Sequence, residues 1–578
     1  MHHRELNQVW SELTAPGARF EIADTVVRGA NTRTFRNAPP SIRAFWLSTA
    51  QFADRDYIVY QGERITYREA HRQVGAIASW LFEHGIQPGD RVAIAMRNYP
   101  EWLLIYWACV SVGIAVVGMN AWWVAEEIDY ALKDSKPKVV FCDPERLERI
   151  LDLWAGAPHA MLVATRANTL PPAVTPWSSV IAGGTLPSVD VDPDAVACIF
   201  YTSGTTGFPK GAQLTHRGCV ANLLNMAFAA EVQAAAVARA SGAAHDPDAH
   251  PPAPVSLLPT PLFHVAATNC GGYATTAAGG LIVLMYRWDA SDALELIERH
   301  KVTVLSGVPT MARELISHPD FDRHDTSSLT TLGGGGAPLQ PDLVEKIQSR
   351  APQLQPGTGY GMTESSGIIA SNFGDFLVHH PDSVGRVMPA FEARCVGEDG
   401  QTRAQGEVGE LWVKGSPVIE GYLNHPDATA EAITDGWLHT GDMARIDENG
   451  FLYLVDRKKD MVLRGGENIY CAEVEACLHR HSAVAECCVF GVPDVRLGEE
   501  VAAAVVLRSG LSLTPEALRA HCGEHLAKHK IPRRLWVLTQ PLPRNAAGKF
   551  LKRQLRESLM SAMAPDQLRG EKKRHRPQ

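Results

Sequence analysis

Apolar and polar positions change period repeatedly along the chain. Over residues 69–84 the apolar side chains fall on one helical stripe, and the segment GIQPGDRVAIAM that follows reads as a turn and a strand. Residues 102–111 read as a helix, 115–119 as a strand, 126–134 as a helix and 139–142 as a strand. This alternation predicts βαβ units, and so a largely parallel sheet covered by helices. Residues 197–201 form a further short apolar strand that runs into a Gly-rich loop. Between 231 and 254 the composition turns first Ala-rich and then rich in Asp, His and Pro, which predicts a surface excursion, a helix end plus a loop. No internal repeat is evident. Beyond Asp456 the elements shorten and end in a Pro/Gly loop at 541–549, the pattern of a small α+β domain. The expected fold class is α/β: a large N-terminal domain (1–456) of α/β subdomains with mostly parallel sheets, plus a small C-terminal α+β domain (457–578).

One run tests that reading. Residues 102–125 carry no formal charge and are long enough to span a bilayer. Gly113, Asn120 and the change of period inside the run predict instead a buried helix followed by a buried strand. The N-terminus has no apolar signal core and the C-terminus no retention or peroxisomal address. No transmembrane span is expected, while peripheral membrane contact and homodimerisation stay open.

Composition narrows the class further. At 578 residues the chain is several times the size of a small module. It is 45% hydrophobic and 21% charged, which excludes a disordered or collagen-like chain. The formal charge of −9 argues against a nucleic-acid partner. The basic tail with Arg569, Lys572, Lys573, Arg574 and Arg576 reads as a solvated, frayed end. The 11 cysteines are scattered, without a CxxC pair, and Cys487 adjoins Cys488. That suits neither a disulfide framework nor a zinc site, and predicts a reduced, cytoplasmic setting.

The strongest chemical signal is YTSGTTGFPKG at 201–211. Thr202, Ser203, Thr205 and Thr206 surround Gly204 and Gly207 just after an apolar strand. Small residues let backbone N–H groups approach phosphate oxygens, hydroxyls add donors, and Lys210 adds a positive charge. It is not a Walker A loop: Pro209 stands where that pattern needs Gly before the Lys, and Gly211 where it needs Ser or Thr.

This loop resembles the phosphate-binding signature of the AMP-forming adenylating enzymes, a superfamily of acyl-CoA synthetases, peptide-synthetase adenylation domains and luciferases. Further blocks follow in the family's order. GGGGAPL at 333–339 is similar to the adenine-side segment, which implies contacts at Gly335 and Ala337. In GTGYGMTESSG at 357–367 the resemblance implies that Thr358, Gly359, Gly361 and Met362 border the nucleotide. Tyr360 would stack on adenine, Thr363 contact the α-phosphate region, and Glu364 hold Mg2+. An aromatic face suits a base, and a carboxylate suits a hard cation. In the block at 436–460, Asp442 matches the carboxylate that accepts both ribose hydroxyls, Arg457 a ribose or phosphate contact, and Lys459 the hinge between domains. RGGENIYCAEVE at 464–475 resembles the segment facing coenzyme A, with Gly465, Gly466 and Glu467 along the pantetheine path; Cys471 stands where many relatives have Pro, and reads as packing. Lys530 in KHKIP is similar to a residue that touches coenzyme A phosphates. Lys549, in PRNAAGKFLKRQL, matches the catalytic lysine, with Ala547 where many relatives have Thr.

The resemblance implies two half-reactions with ATP, Mg2+ and coenzyme A: a substrate carboxylate gives acyl-AMP and pyrophosphate, then a thiol takes the acyl group. PTPLFHVAA at 259–267 bears on the acid. Peptide-synthetase domains usually place an Asp after the Phe to pair an ammonium, whereas this chain has His264, which resembles the aromatic gate of acyl-CoA synthetases. Amino acids are thereby disfavoured, and the residues after Lys549 are too few for a carrier domain. The closest likeness is to bacterial fatty acyl-CoA ligases. A medium- or long-chain fatty acid is the expected substrate, with an aryl acid, or transfer to an amine or carrier protein, as alternatives.

Overall fold

The structure, a computed structural model, describes residues 3–154, 160–202, 209–246, 252–336, 339, 341–465, 467–544 and 550–561. The basic tail lies outside them. Contacts group the chain into two units. The first holds Met1–Ala393, Trp412–His439 and Asn449–Leu452, and the second holds Arg394–Leu411, Thr440–Glu448 and Tyr453–Gln578.

In the first unit one sheet runs Lys210–Thr215, Val196–Thr202, Ala115–Gly118, Arg91–Ala95, Val139–Cys142, Met161–Ala164, Val174–Pro176. Every neighbouring pair is parallel except the first, which is an antiparallel hairpin. The uncharged run resolves into helix Pro100–Ser111, every residue of it buried, then a turn at Gly113 and strand Ala115–Gly118. A helix apolar on all sides belongs inside a core. Trp107 donates from Nε1 to the Tyr57 hydroxyl at 2.7 Å and stacks on Trp46, so the Trp107 indole N–H is satisfied within the core.

A second sheet carries the parallel strands Gln355–Met362, Thr331–Gly335, Val304–Gly307, Val255–Leu258, Leu281–Leu284 and Asp56–Tyr60 in that order. Gly367–Phe373 pairs antiparallel with Gln355–Met362. Helix His216–Ser241 ends inside the Ala-rich stretch with loop after it, as the composition predicts, and among the described residues it is the helix long and apolar enough to cross a membrane by length and composition. Half of its apolar window is buried in the protein.

In the second unit Gly498–Leu507 lies between Val484–Asp494 and Val462–Arg464 and pairs in parallel with Arg534–Leu538. Its side chains alternate as a strand requires. Val501, Ala503 and Val505 pack under helices Cys471–His479 and Pro515–His525, while Ala502 and Ala504 face Leu542 and Leu555. All eleven cysteines are free thiols, and all but Cys270 are buried.

Candidate active site

The Gly-rich loop starts from a hairpin whose base is closed by the Thr202–Lys210 pair, with the Thr202 hydroxyl donating to the Lys210 carbonyl at 3.4 Å. Ser203, Gly204, Thr205, Thr206 and Gly207 lie outside the described residues. Segment 420–423 lines the outer strand of this hairpin: Gln213 N–H donates to Gly421 O at 2.9 Å, Leu423 N–H to Gly211 O at 2.8 Å, and Ala212 bridges Tyr422. The register sets Tyr422 beside Lys210, whose Nζ is 5.4 Å from the ring centre. The Tyr422 hydroxyl donates to Glu364 Oε1 at 2.8 Å. Burial first, and then the Glu364 carboxylate, push the phenol above its ordinary range, so Tyr422 stays a donor. Lys210, Tyr422 and Glu364 thus form one cluster.

Glu364 is buried on the short turn Thr363–Ser365 at the end of strand Gln355–Met362. Ser365 Oγ receives Met362 N–H at 3.1 Å and donates to Gly367 O at 2.8 Å, which closes the turn. Two buried asparagines fix the segment that follows. Asn222 Oδ1 accepts from Ile368 N–H at 2.9 Å, Asn222 Nδ2 donates to Asn269 O at 3.0 Å, and Asn269 Nδ2 donates to Ser366 O at 3.1 Å. Asn269 belongs to the π-helix Ala266–Gly272. His264 stands two residues before that helix, its carbonyl accepting from Ala267 and Thr268 N–H and its ring 4.6 Å from Phe263, which meets Trp122 edge-on.

Thr358, Gly359, Tyr360, Gly361 and Met362 all lie on the strand that ends at this turn; Thr358 is buried and Tyr360 half-buried opposite Ala370. Gly335 pairs with Gly359 across the strands, while Ala337 lies outside the described residues. The glycines here admit close strands. A Cβ on Gly334 would sit 1.6 Å from Gly307 O.

In the second unit Asp442 is buried, its backbone N–H held by Thr440 Oγ1 at 3.1 Å, and its Oδ1 lies 3.1 Å from Arg457 Nε. Pairing with a guanidinium gives the carboxylate a fixed direction. Burial, and then Arg457, pull the Lys459 ammonium below the usual lysine range. Gly465 takes a left-handed φ of 60° and donates to Leu497 O at 2.7 Å. Glu467 pairs with Arg464 across Val462–Arg464 and Glu467–Ile469, and Gly466 lies outside the described residues. Lys530 is held by both Glu473 oxygens at 2.7 Å, so a phosphate would have to compete with a carboxylate for it. Cys471 is buried with its thiol on Asp460 O at 3.0 Å, which is packing. Lys549 lies outside the described residues. The loop that carries it is closed at its base: Arg544 bridges Phe550, stacks on its ring at 4.0 Å and pairs with Glu486 at 2.8 Å.

Sequence reasoning missed Tyr422, Asn222, Asn269 and Arg544. Tyr422 follows a Gly in an unremarked loop, and only its pairing with the hairpin gives it meaning. Glu364 fits a hard cation, being a buried carboxylate with one oxygen held by a neutral donor.

The chain matches the family "AMP-binding enzyme" over residues 45–423 and "AMP-binding enzyme C-terminal domain" over 473–549. It is 36% identical over 499 residues to a feruloyl-CoA synthase of Amycolatopsis sp, covering 86% of this chain and 94% of that one. It is 31% identical over 539 residues to a long-chain-fatty-acid–CoA ligase of Bacillus subtilis (strain 168), covering 88% and 93%. Among solved structures it is similar to the amide bond synthetase McbA from Marinactinospora thermotolerans, with a TM-score of 0.77 and 27% identity over 89% of this chain and 99% of that one. The chain belongs to the AMP-binding enzyme family, as an AMP-forming acid–CoA ligase that uses ATP, Mg2+ and coenzyme A.

Proposed function

We propose that the chain activates a hydrophobic aryl acid of the hydroxycinnamate kind, giving the acyl-AMP and then the coenzyme A thioester. The single observation that carries the first step is the Lys210–Tyr422–Glu364 cluster at the mouth of the phosphate hairpin. The greater identity to the feruloyl-CoA synthase than to the fatty-acid ligase supports the choice of acid. Exposed Trp122, edge-on to the buried Phe263 beside His264, offers aromatic surface to an incoming acid. A long-chain fatty acid is the second reading, supported by 31% identity over 539 residues.

In this reading the 203–207 loop and Lys210 receive the outer phosphates. Tyr360 and the glycine strand edge, with Gly335 and Ala337, receive adenine, and Asp442 with Arg457 receives the ribose. Thr363 directs the α-phosphate. Mg2+ held by Glu364 would neutralise phosphate charge. A carboxylate is a weak nucleophile attacking a polyanion, so positive charge at the α-phosphate is the main catalytic demand, and Lys549 meets it. The acid oxygen bonds to the α-phosphorus as the bond to pyrophosphate breaks. The segment beyond the hinge, 457–578, then turns at Lys459, withdraws Lys549 and brings Gly465–Glu467 beside the entering thiol. Expulsion of AMP completes the transfer.

Pyrophosphate release is measured with ferulate, coumarate, benzoate, octanoate and palmitate, with and without coenzyme A. Ferulate and coumarate are expected to give the highest kcat/KM and a thioester. Preference for palmitate would transfer the assignment to the fatty-acid reading. Acyl-AMP formation with no thioester would point to an amine acceptor.

A further inference from the structure

We propose that His521, Glu524 and His525 form a binding site for a borderline divalent transition cation such as Zn2+, Ni2+ or Co2+, separate from the Mg2+ of the ligase reaction. The three residues end helix Pro515–His525 of the second unit, and one ligating atom of each lies within 4.8 Å of the others. The helix imposes the grouping: positions i, i+3 and i+4 share a face, so His521 meets both Glu524 and His525. The imidazoles of His521 and His525 stand 4.9 Å apart at 71°. Glu524 and His525 are exposed and His521 is half-buried, so a cation reaches the group from solvent.

The second observation is the support behind His521. Its Nε2 lies 3.0 Å from the carbonyl oxygen of Cys477, on the neighbouring helix Cys471–His479. A carbonyl only accepts, so Nε2 carries the proton and Nδ1 keeps its lone pair. A metal-ligating histidine needs this arrangement, in which a backbone carbonyl fixes both tautomer and ring plane. His481 packs edge-on against the His521 ring at 5.1 Å, but its Nδ1 accepts from Ala483 N–H at 3.2 Å, which leaves its proton on Nε2. His481 therefore orients the His521 ring and is no ligand itself.

Two imidazole nitrogens and one carboxylate oxygen suit Zn2+, Ni2+ or Co2+, with water completing the shell. They suit Mg2+ poorly, because it takes oxygen donors in a rigid octahedron. Tetrahedral zinc with bonds of about 2.1 Å needs ligand separations of roughly 3.4 Å. Rotation of the exposed Glu524 and His525 side chains supplies that closure.

The test uses the full chain stripped with chelator and held in excess Mg2+. Zn2+ is titrated calorimetrically and Co2+ by its visible d–d absorption, for the parent chain and for His525→Asn, His521→Asn, Glu524→Gln and His481→Phe. The parent is expected to bind one equivalent more than His525→Asn, with micromolar affinity and a tetrahedral Co2+ spectrum. His521→Asn loses the same equivalent, Glu524→Gln weakens it about tenfold, and His481→Phe retains it. Because His525 is exposed, His525→Asn keeps its pyrophosphate release, which shows that the chain is folded. Equal stoichiometry and affinity in the parent and His525→Asn would overturn the site, and loss of the equivalent in His481→Phe would overturn this ligand set.

Discussion

At the scale of single residues, the cluster around Glu364 depends on one hydroxyl. A hydrogen bond to a charged group contributes about 1.5–3 kcal/mol, so Tyr422→Phe is expected to lower kcat/KM for ATP by about tenfold or more while leaving folding intact. Steady-state pyrophosphate release at varied ATP and Mg2+ measures this; an unchanged ATP profile would remove Tyr422 from the site. Asp456 sets a pH dependence of the second unit. Burial, and the nearby Glu475, raise its carboxyl to about 6, against a pull downward from Lys552. The folded chain then holds a proton that the unfolded chain has released between about pH 4 and pH 6. Stability from this group is present below that window and lost as pH rises through it, on the order of 2–3 kcal/mol. Asp456→Asn should flatten the loss, seen as a urea midpoint that gains on the parent's from pH 4 to pH 6. The motif residues were legible because their types are chemically unusual together: hydroxyls and glycines before a lysine, or a tyrosine between glycines. Tyr422 was not, since its partner Glu364 is 58 positions away and neither residue carries a local mark of the pairing.

At the scale of elements, period and punctuation placed the helices and parallel strands read between 69 and 201 within a residue or two. Strand Val139–Cys142 and helix Tyr67–Glu83 follow directly from their patterns. The Ala-rich stretch reads in the same way: its helix ends at Ser241 on a left-handed Gly242, and the chain then leaves the helix where the composition turns to Asp, His and Pro. The π-helix Ala266–Gly272 has no sequence signature, and its irregular turn places Asn269 under Ser366. The glycine strand is where element and site meet. Gly334→Ala puts a methyl into the Gly307 carbonyl, so a loss of at least about 3 kcal/mol is expected. A urea midpoint close to that of the parent would show that the strands can part without cost.

At the scale of the whole molecule, the ligase reading separates the two half-reactions between positions that no single local pattern joins. Lys549→Ala is expected to abolish acyl-AMP formation from ATP while sparing thioester formation from supplied acyl-AMP. Equal loss of both steps would refute that division. Family order across the chain made the reaction class legible. The acid was not, because an acyl pocket is a shape assembled from side chains far apart in sequence, and one chain records no shape directly.

The distribution of thiols gives the molecule an internal clock. Cys109, Cys142, Cys198 and Cys219 are sealed in the first unit, and Cys395, Cys471, Cys477, Cys487, Cys488 and Cys522 in the second. An alkylating reagent reaches each only when the surrounding structure opens. Mass spectrometry of timed alkylation therefore reads the opening of the two units separately, in the unmodified chain and without any added label: one shared labelling rate means that they unfold as one body, and two rates date each event on its own.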